Sequence, residues 1–144
     1  MSESILTPGR AAEPWLLLLS RICFASLFLP DAVRKLMSMD TFAQSLAARG
    51  VPAPGLVAWI AALADLFGAL GVLIGYRTRA ASLLLIAFTI IATALAHRFW
   101  EFQGQQQVRE SLQFFHNCAL VGAFTLLILR GPGRFSIDRE ETLR

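Results

Sequence analysis

Two charges stand inside otherwise apolar runs of this sequence: Arg21 in PWLLLLSRICFASLFL and Asp65 in LVAWIAALADLFGALGVLI. An ionised side chain at the centre of a membrane-spanning helix costs at least about 2.5–3.5 kcal/mol, so each marks a pairing partner, a ligand site or a proton relay. Arg21 lies about seven residues into its run, hence about 10 Å from its start. If the two helices run antiparallel, the long Arg21 side chain can reach the level of Asp65, and pairing lowers the cost of both charges. Arg21 and Asp65 are therefore the expected buried ion pair or proton relay. A purely structural pair and snorkelling of Arg21 to the nearer interface compete with that reading.

A second set of polar groups occupies two further apolar runs. Thr89, Thr93 and His97 step by four residues, and Ser82 falls on the same side of a helix. Hydroxyls can be absorbed by carbonyls of their own helix. Asn117, near Gln113 and His116 at the start of the last run, needs a partner from another helix. With helices alternating in direction, His97, His116, Asn117 and Gln113 gather at one end. Asp31 and Lys35, spaced i, i+4 in the favourable order, gather there too. A pocket of Lys35, His97, Trp100, Gln113, His116 and Asn117 is expected at that end. Its apolar walls and few polar groups suit a small aromatic ligand. Two histidines on facing helices also raise haem or a metal. Their levels differ by about one helical turn, so haem is disfavoured and no metal is expected. Cys23 and Cys118 are single thiols in separate runs, read as buried free cysteines. No CxxC, zinc-type spacing, P-loop, GxGxxG, nucleophile elbow or zincin motif is present, so the catalytic residues are unknown and no self-sufficient catalytic motif exists.

The elements that must hold these groups follow from composition. Of 144 residues, 56% are hydrophobic and only 16% charged, and mean hydropathy is +0.57. Too few charges remain to coat a soluble surface, and a disordered chain is excluded. The net charge of +3 rests almost wholly on arginine, which membrane loops explain better than nucleic acid. Four stretches, about residues 14–36, 56–74, 80–96 and 112–129, match the length needed to span a bilayer. The third and fourth contain segments without charge around the whole helical wheel, unlike a soluble amphipathic bundle. The expected fold is all-α: a four-transmembrane-helix antiparallel bundle, with tails at 1–13 and 131–144. Between spans one and two, Asp40 can cap a short interfacial helix bearing Phe42 and Leu46, ended by Gly50 and the following VPAPG. Pro30 is expected to bend the first span. Residues 97–111, with Gln105–Gln107, read as a solvated loop. Phe99, Trp100 and Phe102 suit an aromatic belt at the interface. In span two, Ala61, Ala64, Gly68, Gly71 and Gly75 share one narrow arc with Asp65 at its edge, which packs helices closely and turns Asp65 inward.

Orientation follows from cationic residues. The termini and the second loop carry Arg10, Arg77, Arg79, Arg130, Arg134, Arg139 and Arg144; the opposite side has Arg34, Lys35, Arg49, Arg98 and Arg109. Seven against five places both termini in the cytoplasm, by a narrow margin.

The ordered set of these residues resembles the DoxX family of small bacterial four-helix membrane proteins. It runs from Arg21, Lys35-Leu36 and Gly50-Val51-Pro52 through Asp65, Gly68, Gly71, Gly75 and Arg79. It continues with His97-Arg98-Phe99-Trp100, Phe115, Asn117, Gly131-Pro132-Gly133 and Ser136-Ile137-Asp138. The resemblance covers about Trp15–Asp138. Asp65 stands where similar proteins often carry Glu, and His116 where they often carry Lys. Gly or His is common near Asp31. What the resemblance implies is a bacterial inner-membrane protein linked to quinones and to thiol or sulfur redox chemistry, without a uniform activity. A quinone-linked redox subunit is the leading expectation. A non-catalytic scaffold anchoring soluble redox or oxidative-stress proteins is the second, and a small-molecule permease, active only as a homo-oligomer, the third. Membrane lipid is the expected surroundings in each, and no covalently bound cofactor is expected.

Overall fold

The computed structural model describes residues 12–138. Arg10, Arg139 and Arg144 of the charge comparison lie outside the described residues, as do most of the N-terminal tail and the end of the C-terminal one. Helix α1 spans Glu13–Met37, α2 Met39–Ala48, α3 Pro54–Ile74, α4 Thr78–Ala96 and α5 Gly104–Arg130, with a 3-10 turn at Phe99–Glu101. Apart from α2 these helices are long and apolar enough to cross a membrane, by length and composition.

The helix ends follow local chemistry. α1 opens with Glu13 and Pro14 in its first turn and closes with Arg34 and Lys35 in its last, each sign matched to the helix dipole. It stays one helix through Pro30. α2 begins at Met39, behind Ser38, so Asp40 lies in its first turn instead of capping it. Gly50, at φ +75°, ends that excursion, and Val51 N–H donates to Leu46 O at 3.1 Å. α5 starts at Gly104, eight residues before the expected span. Gln105–Glu110 are good helix formers and carry the helix beyond the apolar segment, so only the stretch from His97 to Gln103 connects α4 to α5.

α3 is the central element, packed on α1, α2 and α4, with α5 against α4. Small residues set the approach of α3 and α4. A Cβ on Gly68 would stand 2.7 Å from Leu85 Cγ, and one on Gly71 2.8 Å from Ala81 Cβ. Phe24 and Phe28 of α1 meet Phe124 of α5 at ring centroids of 4.2 and 5.6 Å and close the bundle. Phe28, Ala69, Val72, Leu85, Phe124 and Leu127 form the core. Leu19, Ile22, Phe67, Ile90, Ile91 and Leu126 point outward, as lipid-facing residues do. Cys23 and Cys118 lie on that outer surface and not in the interior, a correction to the expected burial.

Residues 131–138 fold back over the end of the bundle where α3 turns into α4. Ile137 and Asp138 N–H groups donate to Ile74 O and Gly75 O at 3.2 and 2.7 Å. The Asp138 carboxylate accepts from Arg77 N–H and Thr78 N–H, both at 2.8 Å, and from the Thr78 hydroxyl at 3.2 Å. It supplies the cap that the N-terminus of α4 otherwise lacks. Partial burial alone would raise this carboxyl, but the bonds from Thr78 and Arg77 outweigh it and hold Asp138 below the usual carboxylate range. The latch is therefore complete above about pH 4, the ordinary Asp value, and weakens as pH falls through the lower folded value. Asp138→Asn should speed amide exchange at Ile137 and Asp138 at neutral pH. Unchanged protection in that variant would remove Asp138 as the cap.

Candidate functional site

The two charges expected to pair do not meet. Arg21 is buried at the α3 C-terminus, where Nε donates to Val72 O at 2.9 Å and Nη2 to Leu73 O at 2.6 Å. Nη1 donates to Pro132 O and Phe135 O in the returning tail, at 2.9 and 2.6 Å. The guanidinium thus satisfies last-turn carbonyls at the negative end of the α3 dipole and fastens the tail to it. Asp65, wholly buried, is paired with Lys35 instead, Nζ to Oδ2 at 2.5 Å.

Side-chain direction explains the exchange of partners. Helical side chains lean toward their own N-terminus. In α1 that direction carries Arg21 toward the α3 C-terminus and away from Asp65. The same lean carries Lys35 from the last turn of α1 back into the bundle, while Asp65 leans toward the N-terminus of α3 to meet it.

Lys35 is the hub of the polar cluster at the long-loop end. Its side chain is 13% exposed, and Nζ also bonds Asp31 Oδ2 at 2.6 Å. Asp31 is further paired with Arg34, whose side chain is open to the outside. The ammonium lies 4.6 Å from the ring centroid of Phe88 on α4 and 5.5 Å from that of Phe42 on α2. Four helices therefore contribute to one buried, aromatic-walled ion cluster. Phe42 was legible as the apolar side of the interfacial helix; Phe88 carried no signal apart from its place in an apolar run. Asp65 Oδ1 has no hydrogen-bond partner among the described residues.

A second network lies between α4 and α5. Gln113 Nε2 donates to Asn117 Oδ1 at 3.0 Å, Asn117 Nδ2 to Thr93 Oγ1 at 2.8 Å, and Thr93 Oγ1 to Thr89 O at 2.6 Å. Asn117 thus finds the interhelical partner its depth demands. His97 follows the end of α4 and shares a 2.7 Å contact with Glu110 Oε2 on α5, not with Glu101, which pairs with Arg98. Trp100 packs edge-on to Phe99 and Phe114 in an exposed aromatic belt. His116 is exposed on the outer side of α5.

The six residues expected to share one pocket therefore fall into separate places. Lys35 belongs to the Asp65 cluster, Gln113 and Asn117 to the α4–α5 network, His97 to an interface contact, and Trp100 and His116 to the outer surface. His97 and His116 do not face each other across the bundle, because Asn117, one residue on, takes the inward position. Among the described residues, no three His, Cys, Asp or Glu side chains gather as metal ligands. A shallow groove beside the ion cluster runs along α1 past Leu29, Pro30, Val33, Arg34, Met37 and Ser38.

Residues 16–98 match the DoxX family model. The chain is 34% identical over 129 residues to Inner membrane protein YphA of Escherichia coli (strain K12), covering 90% of this chain and 92% of that protein. It is 32% identical over 122 residues to Inner membrane protein YqjF of the same strain, covering 85% and 88%. A shorter likeness, 26% over 72 residues, links it to a Surfeit locus protein 4 homolog of Drosophila melanogaster, covering 49% of this chain and 27% of that one. No solved structure matches.

Proposed function

The chain belongs to the DoxX family, and on that premise we propose that it is a multi-pass inner-membrane protein that binds a quinone head group at the Lys35 cluster for a redox partner. The observation that carries this reading is the Lys35 ammonium, held between Asp31 and Asp65 under the rings of Phe42 and Phe88. An ammonium has three donors. Two serve the carboxylates, and the third can serve a ring carbonyl whose plane lies against the aromatic walls. The outer groove at Leu29–Ser38 reaches the cluster through Arg34, the partner of Asp31, so an isoprenoid tail lying there would remain in lipid. Reduction of a quinone to its quinol takes two electrons and two protons. The two electrons come from a separate redox protein, and the two protons come from water at the long-loop end by way of Asp31 and Asp65.

The test uses protein in nanodiscs doped with ubiquinone and read by native mass spectrometry. The wild-type chain should retain one quinone. Lys35→Met/Asp65→Asn, which preserves charge balance in the interior, should lose it by at least about tenfold in affinity, about 1.4 kcal/mol. His116→Ala, on the outer surface, should bind normally. Equal retention by all three would remove the site. A wild-type protein without quinone that carries a soluble redox enzyme through purification would favour the scaffold.

A further inference from the structure

The face that α4 buries is a column of hydroxyls with one interruption. From the tail end upward its hydroxyls are Thr78, Ser82, Thr89 and Thr93, all buried, with Ala81 beside Ser82 and fully buried Leu85 standing between the two pairs. Thr93 and Thr125 follow the usual route for helix threonines and donate to carbonyls four residues back, Thr89 O and Val121 O. Thr89 and Ser82 do not: their hydroxyls are buried without a partner among the described residues. Asp65 Oδ1 is in the same condition. The approaches of Gly68 to Leu85 and Gly71 to Ala81 fix the antiparallel register of α3 and α4, which sets Thr89 within one to two residues of the level of Asp65. Lys35, bonded to Asp65 and lying over Phe88, fixes the same level independently.

At nearly one level of the bundle, then, lie a carboxylate oxygen that can only accept and a hydroxyl that can donate, both without a partner among the described residues. Buried polar atoms left without partners are rare, and a water between them is the ordinary remedy. Such a bridge adds the Thr89 hydroxyl to the cluster of Asp65, Lys35 and Asp31, which reaches the long-loop end; the Thr93–Asn117–Gln113 chain beside it ends on Thr89 O, a backbone carbonyl. Lys35 and Asp31 of α1 are the charged groups facing this carboxylate; α2 and α4 contribute the Phe42 and Phe88 rings that wall it. Below, Ser82 and Thr78 continue the column to Asp138 at the opposite end. Between the halves sits Leu85, pressed onto Gly68.

We propose that α4 carries a hydrated proton path cut in two by Leu85, so that Asp65 exchanges protons with the long-loop side alone. Leu85 is the seal, and restoring a hydroxyl in its place joins the halves. No bond other than O–H is made or broken. A proton enters at Asp31, whose side chain is partly exposed at the long-loop end, passes through water to Asp65, and leaves the same way. The inference does not depend on which ligand the Lys35 cluster takes.

The experiment is proton flux into proteoliposomes holding pyranine, driven by a valinomycin-clamped potassium gradient. Wild-type protein should leak no faster than protein-free vesicles. Leu85→Ser should leak at least about tenfold faster, Leu85→Ala much less, and Leu85→Ser/Thr89→Val close to wild type. A folded Leu85→Ser without added flux overturns the proposal. So does flux unchanged by Thr89→Val, or accompanied by calcein release, since either reports a packing hole. Should Leu85→Ser fail to assemble, radiolytic hydroxylation of the wild-type chain decides. Water reaching Thr89 should label the adjacent Phe88 and spare fully buried Phe124; equal labelling of the two overturns the seal.

Discussion

Lys35→Met should destabilise the bundle by about 3–5 kcal/mol, the usual result of removing one partner from a buried pair and leaving the other uncompensated. Asp65 is wholly buried and its charged partner within bonding distance is Lys35, so the loss of Lys35 leaves the carboxylate buried without a counter-charge in contact. The converse change, Asp65→Leu, should cost less, because Lys35 keeps Asp31 at 2.6 Å. Lys35→Met/Asp65→Leu should recover most of the loss, giving a strongly non-additive cycle by equilibrium unfolding in mixed micelles. The parallel cycle between Arg21 and Asp65 should be additive, since these residues share no partner. Coupling in the second cycle and none in the first would make Arg21, not Lys35, the ion partner of Asp65.

Arg21→Met should be the most damaging single change at the opposite end. The guanidinium serves Val72, Leu73, Pro132 and Phe135 carbonyls, two on α3 and two on the tail. Each buried acceptor left bare costs about 1–3 kcal/mol, less whatever relaxation recovers. Arg21→Lys keeps the charge but not the planar fork that addresses carbonyls in two directions, so it should fall between Met and wild type. Both variants should also raise amide exchange at Ile137 and Asp138, because the tail loses its anchor at Pro132 and Phe135. A melting temperature for Arg21→Met within a degree or two of wild type would show that the tail holds without the clamp.

The spans were legible because apolar runs of membrane length have few other structures open to them. Asp65 was legible as an inward residue because Gly68 and Gly71 mark the face of α3 that approaches α4, and a charge at the edge of that face cannot look at lipid. Its partner was not legible. Arg21 and Asp65 lie at similar distances from the same end of the bundle when residues are counted along their helices. Counting Cα positions ignores the lean of the side chains, which separates this pair and brings Lys35 in from the last turn of α1. Lys35 was expected in a pocket at the long-loop end, but its position in the last turn of α1 gave no sign that it reaches Asp65. Asn117 was found by its depth, yet neighbouring His116 was misplaced, since adjacent helical residues point about 100° apart and only one of them can face α4. The roles of Gly131-Pro132-Gly133 and Ser136-Ile137-Asp138 had no periodicity to announce them. Irregular backbone that satisfies distant carbonyls and amides is specified by tertiary contact, not by local pattern.

The Arg21 clamp also bears on the order in which the chain is made. The ribosome delivers the first helix early and residues 132–135 much later, while domains begin to fold from the N-terminal side. Until those residues emerge, Arg21 has at most the two α3 carbonyls to hold, and before α3 is inserted it has neither. The first helix therefore enters the bilayer carrying a charge whose full solvation is encoded some hundred and ten residues downstream. Nascent chains stalled before Pro132 should remain targets for quality control, and a fusion joined directly at Arg130 would replace the tail that completes the first helix.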